Sequence, residues 1–283
     1  MLAAACWGLI GPVVRVAFDQ GISPLELAFW RALLGGLLFG LHAGFIGRTR
    51  VERPDLGLIL GFGVVGVALF FGAYQFAVKT GGAALASVLL YTAPAWVALL
   101  SRIFLGELIT GGKFAALLLT LLGVAGVSLQ GGEVHPAPLA IAWGLLSGFT
   151  YALYYLFGKL FLSKYSTPTL FLYSMPVGAL ALFPLVQFDH KTTTSWLAIG
   201  FMVLVSTYGA YLAYYAGLSR LEATRASVVA SLEPVVAAVT AYFFWGERFG
   251  PLGILGSVLV LFAVVVMVLL PGPKRELLAR VPS

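Results

Sequence analysis

Charge is what this 283-residue sequence has least of: 10% of its residues are Asp, Glu, Lys or Arg, against 60% hydrophobic. A water-facing domain carries about 25% charged residues, so the chain lacks the polar groups to coat a soluble surface. Cys6 is the single cysteine, which excludes an intrachain disulfide. The three histidines, His42, His135 and His190, are scattered without ligand spacing. No metal centre is expected, and no membrane hydrolase or transferase, since those need clustered His, Asp or Cys. Alternation of apolar and polar residues over about ten positions is missing too, which argues against a β-barrel. A channel would show a ring of like charges or a Thr-Val-Gly filter, and neither is present.

Two lookalikes fail on context. Gly61-Phe62-Gly63-Val64-Val65-Gly66 fits a dinucleotide fingerprint but lies within an apolar run with no strand before it. Gly111-Gly112-Lys113 lacks the glycine spacing and the Ser/Thr of a phosphate-binding loop. No cofactor and no ATP-driven step are therefore expected. The net charge of +6 does not point to nucleic acid, because the basic residues sit between apolar runs rather than in one aromatic-laced patch.

What the chain does have is apolar length. A bilayer core needs about 20 apolar residues in a helix. Ten runs qualify, at 2–18, 24–45, 56–78, 83–105, 112–129, 138–161, 168–188, 196–218, 223–245 and 251–270. Short turns such as Asp19-Gln20-Gly21, Gly131-Gly132 and Gly246-Glu247 join them. The first run lacks a basic lead and a cleavage site, and Pro12 and Arg15 interrupt it, so it is expected to stay as a span. One set of loops and ends collects Arg48, Arg50, Arg53, Lys113, Lys159, Lys164, Arg220, Arg225, Lys274, Arg275 and Arg280; the other holds Lys79, Lys191 and Arg248. That bias puts both termini in the cytoplasm, as an even span count requires, and the chain is expected in an inner membrane.

The sequence also resembles itself at an offset of 140. Tyr74, Ala83, Ala86-Ser87-Val88, Pro94, Ala98, Phe104 and Gly106-Glu107 return as Tyr214, Ala223, Ala226-Ser227-Val228, Pro234, Ala238, Phe244 and Gly246-Glu247. About ten of thirty-four positions agree without a gap, more than apolar bias supplies. Trp7-Gly8-Leu9 echoes Trp143-Gly144-Leu145, and Ser23-Pro24 echoes Thr167-Pro168. Five runs per copy is an odd number, so the second copy is expected upside down relative to the first. The fold class expected is all-α integral membrane, ten transmembrane helices in two inverted five-helix repeats, with a substrate site near the midplane between them.

These motifs resemble the EamA family of the drug/metabolite transporter superfamily. The resemblance rests on Trp7-Gly8, on Ser23-Pro24-Leu25-Glu26 with Arg31, on Ala86-Ser87 with Pro94 and Gly106-Glu107, and on Ala226-Ser227, Glu233-Pro234 and Gly246-Glu247. It covers nearly the whole chain as two units, residues 1–132 and 133–271, followed by a tail at 272–283. It implies a secondary transporter of small metabolites, amino-acid exporters being the best-understood relatives. The expected partners are a small-molecule substrate and membrane lipid, with protons as a candidate coupling ion and a monomer or weak homodimer as the assembly.

Several residues stand out within the runs. Glu233 sits near the middle of the ninth, where an ionisable group is costly and faces the bundle interior or a water-filled cavity. Pro234 after it is expected to free a carbonyl near Ala230. Pro94 is its first-half counterpart, a hinge candidate flanked by Tyr91 and Trp96. Tyr151 with Tyr154 and Tyr155 lies mid-run in the sixth. Tyr208, Tyr211 and Tyr215 fall at i, i+3 and i+7 on the eighth, expected on one helical face. The candidate substrate contacts are Glu233, Tyr91, Trp96, Tyr151, Tyr208 and Tyr211. Arg31, Glu107 and Glu247 are read as structural or gating charges, Glu107 beside Arg102 and Glu247 on the side of Arg31. Packing of small residues is expected at Gly36, Gly40, Gly44 and the 61–66 glycines. Few basic groups lie in the core, which disfavours phosphorylated cargo and favours neutral, zwitterionic or amine-bearing solutes.

Overall fold

The computed structural model describes residues 1–129, 137–246 and 250–270. Ten helices in it are long and apolar enough to cross a membrane. They are α1 (Leu2–Asp19), α2 (Pro24–Phe45), α3 (Arg53–Gly81), α4 (Ala83–Phe104), α5 (Gly111–Leu129), α6 (Pro138–Phe161), α7 (Thr167–Leu185), α8 (Thr193–Leu218), α9 (Ala223–Phe244) and α10 (Pro251–Leu269). No strand occurs among the described residues. Span edges match the apolar runs to within a few residues; the third starts earlier, at Arg53, because Pro54 fits the first turn of a helix. Glu247, the turn at Gly131-Gly132 and the tail lie outside the described residues.

Helix starts follow local chemistry. The hydroxyls of Ser23 and Ser166 cap α2 and α7, accepting from the amides of Glu26 and Thr169, and each is followed by a proline at the start of the helix. Several spans are irregular inside, and in four of them the irregularities are spaced as the sequence repeat is. The π-helical stretch Gly63–Leu69 of α3 is matched by Met202–Gly209 of α8. The breaks at Tyr91-Thr92 in α4 and Ser231-Leu232 in α9 are 140 residues apart. So are the left-handed glycines Gly106 and Gly246 that follow them, at φ of 67° and 66°.

The prolines act differently from the expectation of an internal kink. Pro94 and Pro234 occupy the first turn of the second piece of a broken helix. Their missing N–H is no loss there, so the helix ends upstream and restarts rather than bending. Glu233 thereby becomes the first residue of a helix instead of a mid-helix side chain.

Equivalent helices of the two copies pack on each other, α2 on α7 and α5 on α10. Glycine sets the closest approaches. A Cβ on Gly123 would stand 2.7 Å from the Gly256 carbonyl oxygen, and one on Gly36 would stand 2.7 Å from the ring of Pro176. Gly63 and Gly66 are likewise crowded and Gly40 meets Leu172, whereas Gly44 and Gly61 face open space and do not serve packing. Without a hydrophobic force between helices in lipid, such contact is what holds them.

Gly123→Leu is expected to cost about 1–3 kcal/mol by overpacking the α5–α10 crossing, lowering the thermal midpoint in detergent. Gly44→Leu, into open space, is expected to leave it unchanged. Equal midpoints for the two variants would show that the crossing is not packed as described.

Candidate functional site

Alternating helix direction places Met1 and the loops after α2, α4, α6 and α8 at one end of the bundle. That end is sealed by polar contacts. Asp55 of α3 accepts from Lys164 Nζ at 3.1 Å and Tyr165 Oη at 2.7 Å, and Tyr165 accepts the Glu52 amide at 3.1 Å. Glu107 accepts from the amides of Ala223 at 2.6 Å and Thr224 at 3.2 Å, and from the Thr224 hydroxyl at 2.8 Å. It therefore caps α9 rather than pairing with Arg102, because the first free amides of a helix attract a carboxylate. Beside it Glu222 accepts from Lys113 at 2.7 Å and Arg225 at 2.8 Å. Burial works against its charge, but these two cations prevail and hold the Glu222 carboxyl below its ordinary range.

The opposite end has its own buried charge. Glu26 accepts from Trp30 Nε1 at 3.2 Å and the Asp189 amide at 3.3 Å, and is ion-paired with Lys191.

Between the ends lies a cavity of about 380 Å³. It runs from Glu233, Tyr151 and Tyr211 at mid-span to Phe18, Pro24 and Val78, at the span ends remote from Met1. Below it, toward the termini, Tyr154, Tyr155 and Tyr215 are fully buried and pack with Phe62, Phe157 and Phe171 as an aromatic floor. Tyr154 stacks on Tyr211 with ring centroids 5.6 Å apart.

Two opposite charges face this cavity. Glu233 stands at the start of the second piece of α9, near the positive end of a helix, with the Tyr91 phenol beside its carboxyl. Arg31 comes from α2; its Nε donates to Thr207 Oγ1 at 3.1 Å and its guanidinium lies 5.3 Å from the centre of the Phe71 ring. Thr207 belongs to the π-helical stretch of α8, a feature that recurs at functional sites. The same stretch offers the Ser206 carbonyl to Trp7 Nε1 at 3.0 Å, which fixes Trp7 in the cavity wall.

Of the residues singled out from the sequence, Glu233, Tyr91, Tyr151, Tyr211 and Arg31 meet in this cavity. Arg31, read from sequence as a gating charge, is part of its wall. Pro94 is buried away from it. Trp96 and Tyr208 also lie outside it. At 100° per residue Trp96 falls about 140° round the helix from Tyr91, and it packs edge-on against Phe149. Tyr208 sits in the π-helical stretch, where the 3.6-residue spacing fails, and instead shares a 2.8 Å hydrogen bond with His42 Nδ1. The three tyrosines of α8 thus divide among His42, the cavity and the floor. Tyr74 and Gln75 line the cavity and were missed. An amide alone in an apolar span was the available signal for Gln75.

The model of the EamA-like transporter family matches residues 1–129 and 138–269. The chain belongs to the EamA-like transporter family. An uncharacterized transporter of Archaeoglobus fulgidus is 30% identical over 272 residues, covering 94% of this chain and 96% of its own. A probable terminal-alkyne amino-acid exporter of Streptantibioticus cattleyicolor is 26% identical, covering 94% and 91%. A probable amino-acid metabolite efflux pump of Escherichia coli is 28% identical, covering 95% and 93%. A crystal structure at 17% identity superposes with a TM-score of 0.80 over 94% of this chain and 93% of that one, which shows a common fold. This EamA-like protein is thus a multi-pass membrane transporter.

The Glu222 cluster makes a pH prediction. Its folded-state pKa is depressed, so its ion pairing stabilises the folded chain above the free-carboxylate value of about 4.3 and is lost as pH falls through the lower folded value. Glu222→Gln is expected to cost about 1–3 kcal/mol at pH 7, since the buried Lys113 loses its counter-charge. Thermal melts of the two proteins should converge as the pH drops below about 4. A gap that persists into acid would refute the assignment.

Proposed function

We propose that this transporter carries small zwitterionic metabolites of the amino-acid type, and that it does so by alternating access. The observation that carries the reading is the pairing of Glu233 and Arg31 on one cavity otherwise walled by aromatic and aliphatic side chains. A solute amine finds its partner in Glu233, a carboxylate finds a planar two-pronged donor in Arg31, and the aromatic wall accepts the apolar remainder. A phosphorylated cargo would need several cations there. A carboxyl in this position also offers a site for a coupling proton. The names of the relatives in Streptantibioticus cattleyicolor and Escherichia coli favour amino-acid export.

In this reading residues 1–132 and 133–271 are inverted five-helix halves in an inner membrane, with both termini in the cytoplasm. The backbone irregularities repeated at 140 residues and the packing of α2 on α7 and α5 on α10 support it. The state described faces outward. The Asp55 and Glu222 clusters hold the cytoplasmic end shut, and they would part as the outer end closes over the cavity. The broken helices at Pro94 and Pro234 supply the hinges.

In liposomes holding the full chain, Glu233→Gln and Arg31→Gln are each expected to lower saturable counterflow of radiolabelled leucine by about tenfold, the loss of one charge-assisted contact, while membrane insertion is retained. Unchanged flux in either variant removes that residue from the site. On a Cys6→Ser background, single cysteines added at the two termini should both react with an impermeant maleimide only in inside-out vesicles. Labelling of the termini from opposite sides would defeat the ten-span inverted arrangement.

A further inference from the structure

The space around Glu233 does not end at the cavity wall. A second cavity, of about 490 Å³, shares Trp7, Gly11, Tyr74, Tyr91 and Glu233 with the first and leads away from them between α1, α5 and α9. Beyond the shared residues its sides are Pro12, Val127, Pro234, Ala237, Ala238 and Ala241, with Arg15 and Ser128 toward the span ends. Arg31 and Tyr151 belong to the first space and not to this one. The two therefore form one bent space: a seat with opposite charges, and an apolar arm that leaves it at Glu233.

The arm exists because the residues around it are small. At Gly11 no atom lies within 4 Å of where a Cβ would stand, and alanines occupy three successive facing positions on α9. The breaks at Leu9 in α1 and Ser231-Leu232 in α9 fall beside its junction with the seat. Closer approach of α1 to α9 happens lower down, where Gly8 is pressed against Val236. Short of Arg15 and Ser128, the alanine face of α9 offers no partner to a second charged group, but it can take up methylenes.

We propose that the arm receives the apolar chain of the cargo, and that the cargo class is 2-amino acids with extended, unbranched aliphatic side chains. The head group sits between Arg31 and Glu233, and the chain turns at Tyr91 and lies along Ala237, Ala238 and Ala241. This rests on the zwitterion reading of the seat, and it adds a length preference that the seat alone does not produce.

The test uses the full chain in liposomes, with straight-chain 2-amino acids from alanine to 2-aminodecanoate competing against radiolabelled leucine. Apparent affinity is expected to rise about threefold to fourfold for each added methylene until the arm is full, then to level off. Ala241→Phe and Ala238→Leu are expected to cut the affinity ratio of 2-aminooctanoate to alanine by about tenfold. The wild-type series stands as a test by itself even if a variant fails to fold. Competition independent of chain length, or a variant that weakens both ends of the series equally, overturns the arm and leaves the charged seat intact. Failure of every member to compete overturns the seat and the arm together.

Discussion

A lipid interior supplies no hydrogen-bond partner to a backbone group and no counter-charge to an ion, so each departure from a plain apolar helix has to be answered by protein or by a cavity. In this transporter two such departures meet at one cavity. The π-helical stretch of α8 carries Thr207, which holds Arg31, and Ser206, whose carbonyl holds Trp7. The break in α9 brings Glu233 to the start of a helix, facing the same space. The cost of irregular backbone is thus met where its exposed groups orient the charged and aromatic walls of one cavity.

Closure of the bundle is divided between two kinds of contact. Near the termini it is polar: carboxylates of Asp55, Glu107 and Glu222 gather cations, hydroxyls and amides, most of them from the other half of the chain. Just beneath the cavity it is aromatic, a floor of buried tyrosines and phenylalanines whose hydroxyls are few enough to bury. Polar clusters at the rim can exchange partners with water, whereas a packed aromatic floor has to slide or rotate as a unit. The floor excludes water from the bundle core, and the rim keeps its charges out of lipid.

Glycine and alanine matter here for the room they leave. Gly123 lets α5 and α10 touch at the backbone, and Gly36 lets α2 close on Pro176. At Gly11 and along the alanines of α9 the same economy of side chain leaves space instead. Nothing local distinguishes the two uses. Whether a small residue means contact or cavity depends on how close the neighbouring helix comes.

Span number, span edges and the 140-residue repeat were legible in the sequence because hydropathy and spacing are properties of single segments. So was Glu233, since a carboxyl deep in an apolar run has few places to go. The effect of Pro234 was only half legible: proline marks an interruption, but a helix that ends and restarts reads the same as one that kinks. Tyr208 was misplaced because a fixed 100° per residue was carried through a π-helical stretch, and Trp96 because nearness to Pro94 in the sequence was taken for a shared face. That Arg31 lines the cavity was not legible, because its partner, Thr207, lies 176 residues away. The sequence determined by itself that this chain crosses a membrane ten times, because lipid accepts only long apolar helices. Tertiary structure alone decided which charges meet, since helices packed side by side bring together residues that no local pattern connects.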